Sequence, residues 1–506
     1  MDAFLKLPLS SDDALAALDY AKDWTMCNGM CMRTPAEKWR SDRSELCPFT
    51  LLPSAFPRHC FQHAISVQQD MNAIYFSASA DSDFIRSALN QVVKTDDFTR
   101  RQLEIYDKVM SEGLAQSTVV QLQRSDYMCH TATQQMQDCQ LKQAGVPIPI
   151  EVNNIASSFC SLACACSRLH YAVLRRLGVG RERIKDALPN NEALDTIVQG
   201  LQCAWQSYGD DNAAVLFIVE RENQNIADQR AIEHRLQECT DFRVPVVRMT
   251  LTECAETLDL DGVSRVLRDR RAGRAIAVVY FRAGYVPQHY GGEREWTARL
   301  TIERSNAIKS PWIGLQLANT KKVQQILSQP GYIEFHLKRA HRTLDAPELS
   351  RRVDAVRATF AGMWGLDACA PETSDILADV QSDPDSFVLK PQLEGGGSNV
   401  YGREIVELLN HRLSEAQRAA YILMERIRPL EQKNYLIRPG DSETRQSELQ
   451  TVVSELGVYG HLLGDLSTLT IERNHVGGHL LRTKAHTTNE GGIMAGAACI
   501  DSPLLV

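Results

Sequence analysis

The sequence has no feature of a membrane-spanning or secreted chain. Across its 506 residues, no apolar run approaches the roughly 20 that a helix needs to span a bilayer. The segment from Met1 to Pro8 also lacks the basic stretch followed by a longer apolar stretch that marks a secretory signal. We therefore expect no membrane partner and a cytoplasmic location.

The motifs of several large enzyme classes are missing as well. There is no G-x-S-x-G nucleophile elbow and no H-R-D or D-F-G set, so neither acyl-enzyme nor protein-kinase chemistry is encoded in a recognisable form. Internal repeats, low-complexity tracts and long linkers are also absent from the sequence. These absences leave open a reaction that depends on positioning and charge neutralisation rather than on a protein nucleophile.

Neither sign of charge dominates. Lysine and arginine number 55 against 63 aspartates and glutamates, which gives a net charge of -8 and argues against nucleic acid as a partner. A hydrophobic content of 44% with 23% charged residues is ordinary for a globular protein. A chain of 506 residues exceeds the usual size of one domain, so we expect two or three subdomains.

Paired C-x-x-C spacing is absent, although the chain has 14 cysteines. The clusters Cys27-x-x-x-Cys31 and Cys160-x-x-x-Cys164-x-Cys166 leave zinc thiolates as one interpretation. Buried small hydrophobic residues are the better interpretation, because free cysteine packs like one. Without a secretory signal, we expect these thiols to be reduced.

Hydrophobic patterns predict a mixed fold of helices and strands. Helices are predicted near the N-terminus, from residue 82 to 112, from 157 to 180 and from 191 to 208. Short apolar runs at 215–219, 246–249 and 276–281 alternate with helical stretches, which is typical of parallel strands covered on both faces. Later strands are predicted at 421–424 and 452–458, with 466–471 and 479–482 as an antiparallel pair.

The stretch from Lys390 to Gly402 follows the apolar run 386–389 and carries three consecutive glycines. Glycines remove side chains from a loop, so successive N–H groups can close around a phosphate group. Lys390 offers a cation for phosphate oxygens and Glu394 a carboxylate for Mg²⁺. The order differs from a Walker A loop, in which the lysine follows the last glycine. On the glycines alone, a flexible surface turn is the alternative.

A second candidate metal stretch is the predicted strand 148–153. Side chains two apart on a strand point the same way, so Glu151 and Asn153 share a face. Carboxylate and amide oxygens suit Mg²⁺. From spacing alone, a solvent-facing pair is an equal alternative. Together, the lysine, the glycines, these oxygen ligands and several arginines fit an ATP-dependent ligase better than a kinase or hydrolase.

The stretch 390–402, together with Tyr421–Glu425, Ser454–Gly457 and His479–Lys484, resembles the eukaryotic glutathione synthetase family. The resemblance extends from about Arg124 to the C-terminus. It implies an ATP-grasp ligase with a glycine-rich lid, an inserted parallel α/β subdomain and N-terminal helices. On this basis we expect an N-terminal helical and mixed part at 1–212, a substrate-binding α/β subdomain at 213–320 and an ATP-binding part at 321–506.

The resemblance also implies the reaction. The C-terminal carboxylate of γ-glutamylcysteine would attack the γ-phosphate of ATP to give an acyl phosphate, and the glycine amine would then displace phosphate. ATP and Mg²⁺ are the expected cofactors, and a homodimer is expected. A ligase that uses β-alanine as acceptor and a non-catalytic nucleotide-binding protein on the same fold are the alternatives.

By matching position, the resemblance assigns residues to each role. The Mg²⁺ ligands would be Glu151, Asn153 and Glu394, and the catalytic roles would belong to Arg482, Lys390 and Glu394. The ATP contacts would be Glu151, Lys321, Lys390, Gly395, Gly396, Gly397, Asn399, Tyr401, Met424, Ile427, Glu455, Lys484 and Glu490. The substrate contacts would be Arg124, Ile155, Ser157, Ser158, Asn223, Asn225, Gln229, Arg282, Tyr285, Arg482, Ile493 and Met494.

The departures from the family are local. Ala156 stands where many relatives have serine and Asn223 where many have glutamate, which places two contacts to the dipeptide in question. Ser398 replaces a frequent asparagine and Glu490 a frequent aspartate. The proposed metal ligands are unaffected.

Overall fold

The computed structural model describes residues 4–143, 152–366, 373–391, 399–488, 492–494 and 496–506. Helices and strands are both abundant in these ranges, which confirms the predicted mixed fold. None of the helices in these ranges is long and apolar enough to cross a membrane.

The helices begin where side chains can cap them. Ser10, Asp81 and Asp96 each accept a hydrogen bond from a backbone N–H of the first turn that follows, which satisfies a donor that the helix itself leaves unpaired. The helices are α1 (Ser11–Cys27), α2 (Arg58–Ser79), α3 (Ser82–Leu89), α4 (Asp97–Glu112), α5 (Cys160–Arg176), α6 (Arg181–Ala187), α7 (Ala193–Tyr208), α8 (Ile226–Cys239), α9 (Leu251–Thr257), α10 (Glu293–Glu303), α11 (Ile313–Ala318), α12 (Lys321–Leu327), α13 (Tyr332–Ala340), α14 (Ala346–Arg357), α15 (Thr373–Ser382), α16 (Arg403–Glu407), α17 (Glu415–Arg418) and α18 (Glu443–Gln446).

The strands range from two residues to sixteen. They are β1 (Cys31–Arg33), β2 (Ser44–Leu46), β3 (Phe49–Thr50), β4 (Ser54–Phe56), β5 (Thr118–His130), β6 (Gln140–Lys142), β7 (Val152–Asn153), β8 (Ala214–Ile218), β9 (Val246–Met249), β10 (Leu258–Leu260), β11 (Leu267–Asp269), β12 (Arg274–Phe281), β13 (Ile308–Ser310), β14 (Met363–Gly365), β15 (Phe387–Pro391), β16 (Val400–Tyr401), β17 (Tyr421–Glu425), β18 (Glu431–Asn434), β19 (Leu436–Ile437), β20 (Gln450–Asp465), β21 (Thr470–Ala485), β22 (Ala498–Asp501) and β23 (Pro503–Leu505).

A nine-stranded sheet forms the centre of the molecule. Its order is β19-β3-β22-β21-β20-β5-β6, with β18 beside β20 and β7 beside β5. The central strand β20 is buried on both faces: Leu456, Val458 and Leu462 pack into the apolar cluster that contains α2, and Tyr459 and Leu463 into the cluster that contains α5 and α7. Helices on both sides therefore hold this sheet rigid.

The segment from Ala214 to Ser310 contributes a six-stranded sheet. It has the order β10-β11-β12-β8-β9, with β13 beside β12. Strands β8, β9, β12 and β13 run parallel, as the short apolar runs predict. Because parallel strands end at the same edge, the loops after β8 and β12 lie side by side, where open α/β sheets bind ligands.

The third large sheet is antiparallel, with four strands in the order β14-β17-β15-β16. It places Lys390 of β15 opposite Ile422 of β17, and Val388 opposite Met424. The strand predicted at 421–424 is therefore confirmed as part of β17.

One prediction about strand pairing is wrong. Residues 466–471 do not pair with 479–482, because 466–469 form the turn that joins two sixteen-residue strands, β20 and β21. The predicted strand 452–458 is the first half of β20, and 479–482 belongs to its partner β21, with Glu455 opposite Arg482.

Candidate active site

Charged side chains from three strands meet on one face of the nine-stranded sheet. Arg124 and Asp126 lie two residues apart on β5 and so point the same way, and the ladder places them opposite Tyr459 and Gly457 of β20. Arg482 of β21 faces Glu455 of β20 directly. Pairing across the strands therefore assembles the cluster from residues far apart in sequence.

Asp126 is the centre of this cluster. Its Oδ1 accepts a hydrogen bond from Arg124 Nε at 2.6 Å. Its Oδ2 accepts from Arg124 Nη2 at 2.8 Å, Asn153 Nδ2 at 3.1 Å and Arg482 Nη2 at 3.1 Å. Arg482 Nη2 also donates to Glu455. One buried carboxylate thus orients two arginines and the amide of a predicted metal ligand.

Gly457 leaves the space that this arrangement needs. A Cβ at Gly457 would lie 2.6 Å from Asp126 Oδ1 and 2.7 Å from Arg124 Cδ. Such distances are far inside ordinary contact, so a side chain here would displace the ion pair. The glycine of the Ser454–Gly457 motif therefore has a packing role beside the site.

Burial and charge shift the pKa values of this cluster. Burial alone would lower the pKa of Arg124, but the Asp126 carboxylate outweighs burial and raises it, so Arg124 stays a cation. Burial raises the pKa of Glu455 above the ordinary carboxyl value, and the positive charge of Arg482 offsets part of that rise. The site therefore holds two guanidinium groups, each paired with a carboxylate: Arg124 with Asp126, and Arg482 with Glu455.

The loop between β7 and α5 joins this cluster to the six-stranded sheet. Arg124 Nη1 donates to the carbonyl oxygen of Ser158 at 3.1 Å, and the Tyr459 hydroxyl donates to the same oxygen at 2.6 Å. From the other side, Arg282 donates to the Ser157 carbonyl at 2.6 Å and to Ser158 Oγ at 2.7 Å. The predicted residues Arg124, Ser157, Ser158 and Arg282 thus lie together.

Asp228 holds this loop through hydrogen bonds to its backbone. Its two carboxylate oxygens accept from the backbone N–H groups of Phe159 at 2.8 Å and Ser161 at 2.9 Å. It also lies 3.8 Å from Arg282. Burial alone would lower the pKa of Arg282, but the neighbouring Tyr280 and Asp228 raise it, so the guanidinium stays charged.

The loops after β8 and β12, with the first turn of α8, carry the remaining predicted dipeptide residues. Gln229 accepts a hydrogen bond from Arg248 Nη2 at 2.6 Å through its Oε1. The Asn225 backbone N–H donates to Asn223 Oδ1 at 2.8 Å, while the buried Asn225 amide has no partner on Oδ1 or Nδ2. Tyr285 packs its ring against His289 with centroids 4.8 Å apart.

A cavity of about 510 Å³ lies beside the four-stranded sheet. Ile427 and Val453 line it, together with Asp385, Arg428 and His486. Val453 lies opposite Lys484 and two residues before Glu455, so the cavity opens onto the same strands as the arginine cluster. A cavity of this size is suited to a small ligand.

The other described nucleotide residues of the prediction are not among those that line this cavity. Lys390 and Met424 are buried on adjacent strands, and Asn399 and Tyr401 lie half-buried at β16. Lys321 is buried at the first position of α12. Lys484 is buried and donates to the carbonyl of Thr488 at 2.7 Å.

The predicted substrate residues Ile493 and Met494 lie in a turn that precedes β22. Ile493 is buried in the central apolar cluster, whereas Met494 is 37% exposed. The Gly496 N–H donates to the carbonyl of Ile493 at 2.9 Å, which closes the turn. The predicted substrate residue Ile155 is buried in the apolar cluster of the six-stranded sheet.

Several predicted residues lie outside the described residues: Glu151, Glu394, Gly395, Gly396, Gly397 and Glu490. Of the three predicted metal ligands, only Asn153 is therefore described. Within the described ranges, no group of three or more His, Cys, Asp or Glu residues is placed to hold a metal ion.

Asp126 and Asp228 are the residues that sequence reasoning missed. The spacing Arg124-x-Asp126 contained a signal, because on a strand it places opposite charges on one face. Asp228 gave no comparable signal, since its partners are backbone N–H groups of a loop distant in sequence.

Comparison with known proteins identifies the family. A model for the ATP-binding domain of eukaryotic glutathione synthase matches residues 12–505. Glutathione synthetase of Homo sapiens is 40% identical over 483 residues, covering 96% of this chain and 95% of the human protein. The chloroplastic glutathione synthetase of Solanum lycopersicum is 35% identical over 461 residues, covering 91% of this chain and 78% of its own.

A solved structure shows the same fold. The apo form of a glutathione synthetase-like effector, GSS30 from Globodera pallida, superposes with a TM-score of 0.75 at 24% identity, covering 100% of this chain and 99% of that one. The family model covers residues 12–505 and so includes both strand pairs that hold the arginine cluster. The chain belongs to the eukaryotic glutathione synthase family.

Proposed function

We propose that this protein joins γ-glutamylcysteine to glycine, with ATP converted to ADP and phosphate. Membership of the family makes the chain an ATP-dependent ligase. The observation that carries the proposal is the meeting of Arg124, Arg282 and Arg482 at the junction of two sheets. The 510 Å³ cavity shares strand β20 with this cluster through Val453. γ-Glutamylcysteine is a dicarboxylate, and guanidinium groups held in fixed positions bind carboxylates with defined geometry.

Each part of the site has a role in this reaction. Arg482 neutralises the cysteinyl carboxylate, which lets one of its oxygens attack the γ-phosphorus of ATP. The bond from that phosphorus to the bridging oxygen breaks, ADP leaves and an acyl phosphate results. Lys390 and Lys484 offset the charge of the phosphate oxygens. The glycine amine then attacks the activated carbonyl carbon and phosphate leaves. Positioning and charge neutralisation are the main contributions that a protein makes to such a transfer.

Bound Mg²⁺ and an ATP-grasp arrangement are part of this proposal, and Asn153 is the described residue that supports the metal site. Asn153 turns its amide nitrogen towards Asp126, which directs its amide oxygen to the opposite side. Asn153 would hold the ion with Glu151 and Glu394, and bound Mg²⁺ would supply charge neutralisation at the phosphates. Met424 and Ile427 would border the adenine, because Ile427 lines the cavity and Met424 lies on the adjoining strand.

We also propose a homodimer that resides in the cytosol. The cysteines in the described ranges are all free thiols, which suits a reducing compartment. Light scattering of the purified chain would give its mass, and a mass of one chain would contradict the dimer.

The decisive experiment measures ADP release from the purified protein. ADP release should require γ-glutamylcysteine and glycine together, and glutathione should appear in equal amount. Each substrate alone is the control. ADP release that does not depend on γ-glutamylcysteine and glycine would contradict the proposed ligase activity. No ADP release with both substrates present would also contradict it. Replacing glycine with β-alanine in the same assay tests the alternative, a ligase that uses β-alanine as acceptor.

A further inference from the structure

Glu220 lies between the two loops that carry the predicted dipeptide residues. It follows strand β8, and its Oε1 accepts a hydrogen bond at 2.7 Å from His289 Nε2 in the loop after β12. Its Oε2 accepts from Asn223 Nδ2 in its own loop. The carboxylate therefore ties the two loops together while its side chain stays 29% exposed.

The hydrogen-bond pattern fixes the charge of this group. The Gly284 backbone N–H donates to His289 Nδ1 at 2.8 Å, so the ring proton lies on Nε2 and points at Glu220. Burial would raise the pKa of Glu220, but the hydrogen bonds from His289 and Asn223 outweigh burial and lower it. Glu220 is thus an anion that accepts hydrogen bonds from His289 and Asn223, and the Lys38 ammonium also acts on it.

Glu220 also orients the residue that faces the ligand. Glu220 fixes the side-chain nitrogen of Asn223 by accepting its hydrogen bond. The side-chain oxygen of Asn223, Oδ1, then accepts a hydrogen bond from the backbone N–H of Asn225 at 2.8 Å. The Asn225 side chain is 4% exposed and has one acceptor and one donor without partners. Buried polar atoms of this kind need a partner, and a ligand bound beside Asn225 would supply it.

The chemistry of the ligand matches these groups. The γ-glutamyl end of the dipeptide carries one ammonium group and one carboxylate. The ammonium can donate to Asn225 Oδ1, and Asn225 Nδ2 can donate to the carboxylate. Two nearby arginines already have acidic neighbours, because Arg282 lies 3.8 Å from Asp228 and Arg248 lies 3.3 Å from Glu233. Glu220 leaves negative charge at this end of the site.

We propose that Glu220 selects substrates with a free α-ammonium group, by its negative charge and by positioning Asn225 through Asn223. This inference rests on the proposed function. It makes Glu220 a specificity-determining residue, with His289 as the positioning residue that holds it. The predicted ligand is therefore a γ-glutamyl compound with an unmodified amino group.

The test compares two substrates in three proteins. γ-Glutamylcysteine and glutarylcysteine differ only in the α-ammonium group, and glycine and ATP are saturating. Glu220→Gln should lower kcat/KM for γ-glutamylcysteine by about tenfold or more, chiefly through KM, because a hydrogen-bonded ionic partner is lost. It should change kcat/KM for glutarylcysteine by less than about threefold. Glu222→Gln, on an exposed residue of the same loop, should leave both substrates unchanged.

The outcomes separate the two proposals. An equal loss on both substrates, or no loss on either, in Glu220→Gln would overturn the role of Glu220 while the wild-type ligase activity stands. A wild-type protein that does not ligate the dipeptide would overturn the proposed function itself. Thermal denaturation checks the fold of each variant. Should Glu220→Gln fail to fold, Glu220→Ala provides the same comparison, and the same outcomes support or overturn the role of Glu220.

Discussion

Asp126 gathers side chains from three strands, so it is the residue whose loss reaches furthest into the site. Its carboxylate binds Arg124, Asn153 and Arg482 within 3.1 Å, and it is buried. Removing its charge leaves two arginines with less compensation in a buried place, which is more costly than losing an exposed ion pair.

We expect Asp126→Asn to lower ligase kcat/KM by about a hundredfold or more and to destabilise the fold by about 3 to 5 kcal/mol. Steady-state kinetics and urea denaturation measure the two effects. Asp211→Asn, on an exposed residue, is the matched control and should behave as wild type. Near wild-type turnover by Asp126→Asn would show that the cluster is not part of the site.

Gly457 tests the geometry of the same cluster without changing any charge. In Gly457→Ala the new Cβ has to displace Asp126 and Arg124, which lie 2.6 and 2.7 Å from it. We expect kcat/KM to fall by about tenfold or more, because small misplacements at a reacting centre are costly.

Gly262→Ala is the control for Gly457→Ala, because a Cβ there has no atom within 4 Å. It should leave both turnover and thermal midpoint unchanged. Equal turnover in the two variants would mean that the position of the Arg124–Asp126 pair has no effect on the reaction.

At the scale of elements, the turn before β22 is expected to choose the acceptor amine. Ile493 is buried and 2% exposed, so it has little freedom to move aside, whereas the more exposed Met494 can repack. An added methylene is discriminated by about 1 to 3 kcal/mol, so β-alanine should be a poor substrate but still be used.

The measurement is kcat/KM for glycine and for β-alanine at saturating ATP and dipeptide. Ile493→Ala should lower the ratio of kcat/KM for glycine to kcat/KM for β-alanine, because it opens space for the added methylene. Met494→Ala should lower this ratio less. A wild-type ratio that favours β-alanine would instead place the protein among ligases that make the β-alanine peptide.

Elements with a strong local pattern can be predicted from the sequence, and elements defined by long-range pairing cannot. The parallel strands β8, β9 and β12 are short, continuous apolar runs, and they lie where that pattern predicts. Strands β20 and β21 are each sixteen residues long and contain glycines, which in a sequence are typical of turns rather than of strand interiors. The predicted pairing is therefore wrong, although 452–458 and 479–482 are indeed strands.

The candidate site shows the same division. Motif resemblance points to Arg124, Glu455 and Arg482, and the strand ladder brings them together. Asp126, which holds the arginines, lies in none of the motifs that carry the resemblance, and the register of β5 and β20 shows its position in the cluster. Sequence motifs therefore identify the residues that meet the substrate more readily than those that position them.

For the whole molecule, buried histidines predict sensitivity to acid. Burial lowers the pKa of His336 and of His461 to about 4, and that of His479 to about 3. An unfolded chain has histidines that titrate near pH 6.5, so below that pH the unfolded state binds protons that the native state does not. Stability is therefore expected to fall as the pH drops from about 6.5 towards 4.

Each such histidine contributes a slope of about 1.4 kcal/mol per pH unit. His479→Leu should make the fall of the thermal midpoint between pH 6.5 and 5 shallower. His411→Leu, on an exposed residue, should leave the slope as in wild type. Equal slopes in all three proteins would contradict this role of His479.

The pairing of β5 with β20 sets a condition on how the protein can be made. Arg124 and Asp126 lie on strand Thr118–His130, but the strand that pairs with them, Gln450–Asp465, is synthesised only 320 residues after His130. Until then β5 lacks its central neighbour, and an unpaired strand edge is a template for other chains. Ribosome stalling or early termination before residue 450 would therefore release a chain that is inactive and prone to aggregate, however sound its earlier helices are.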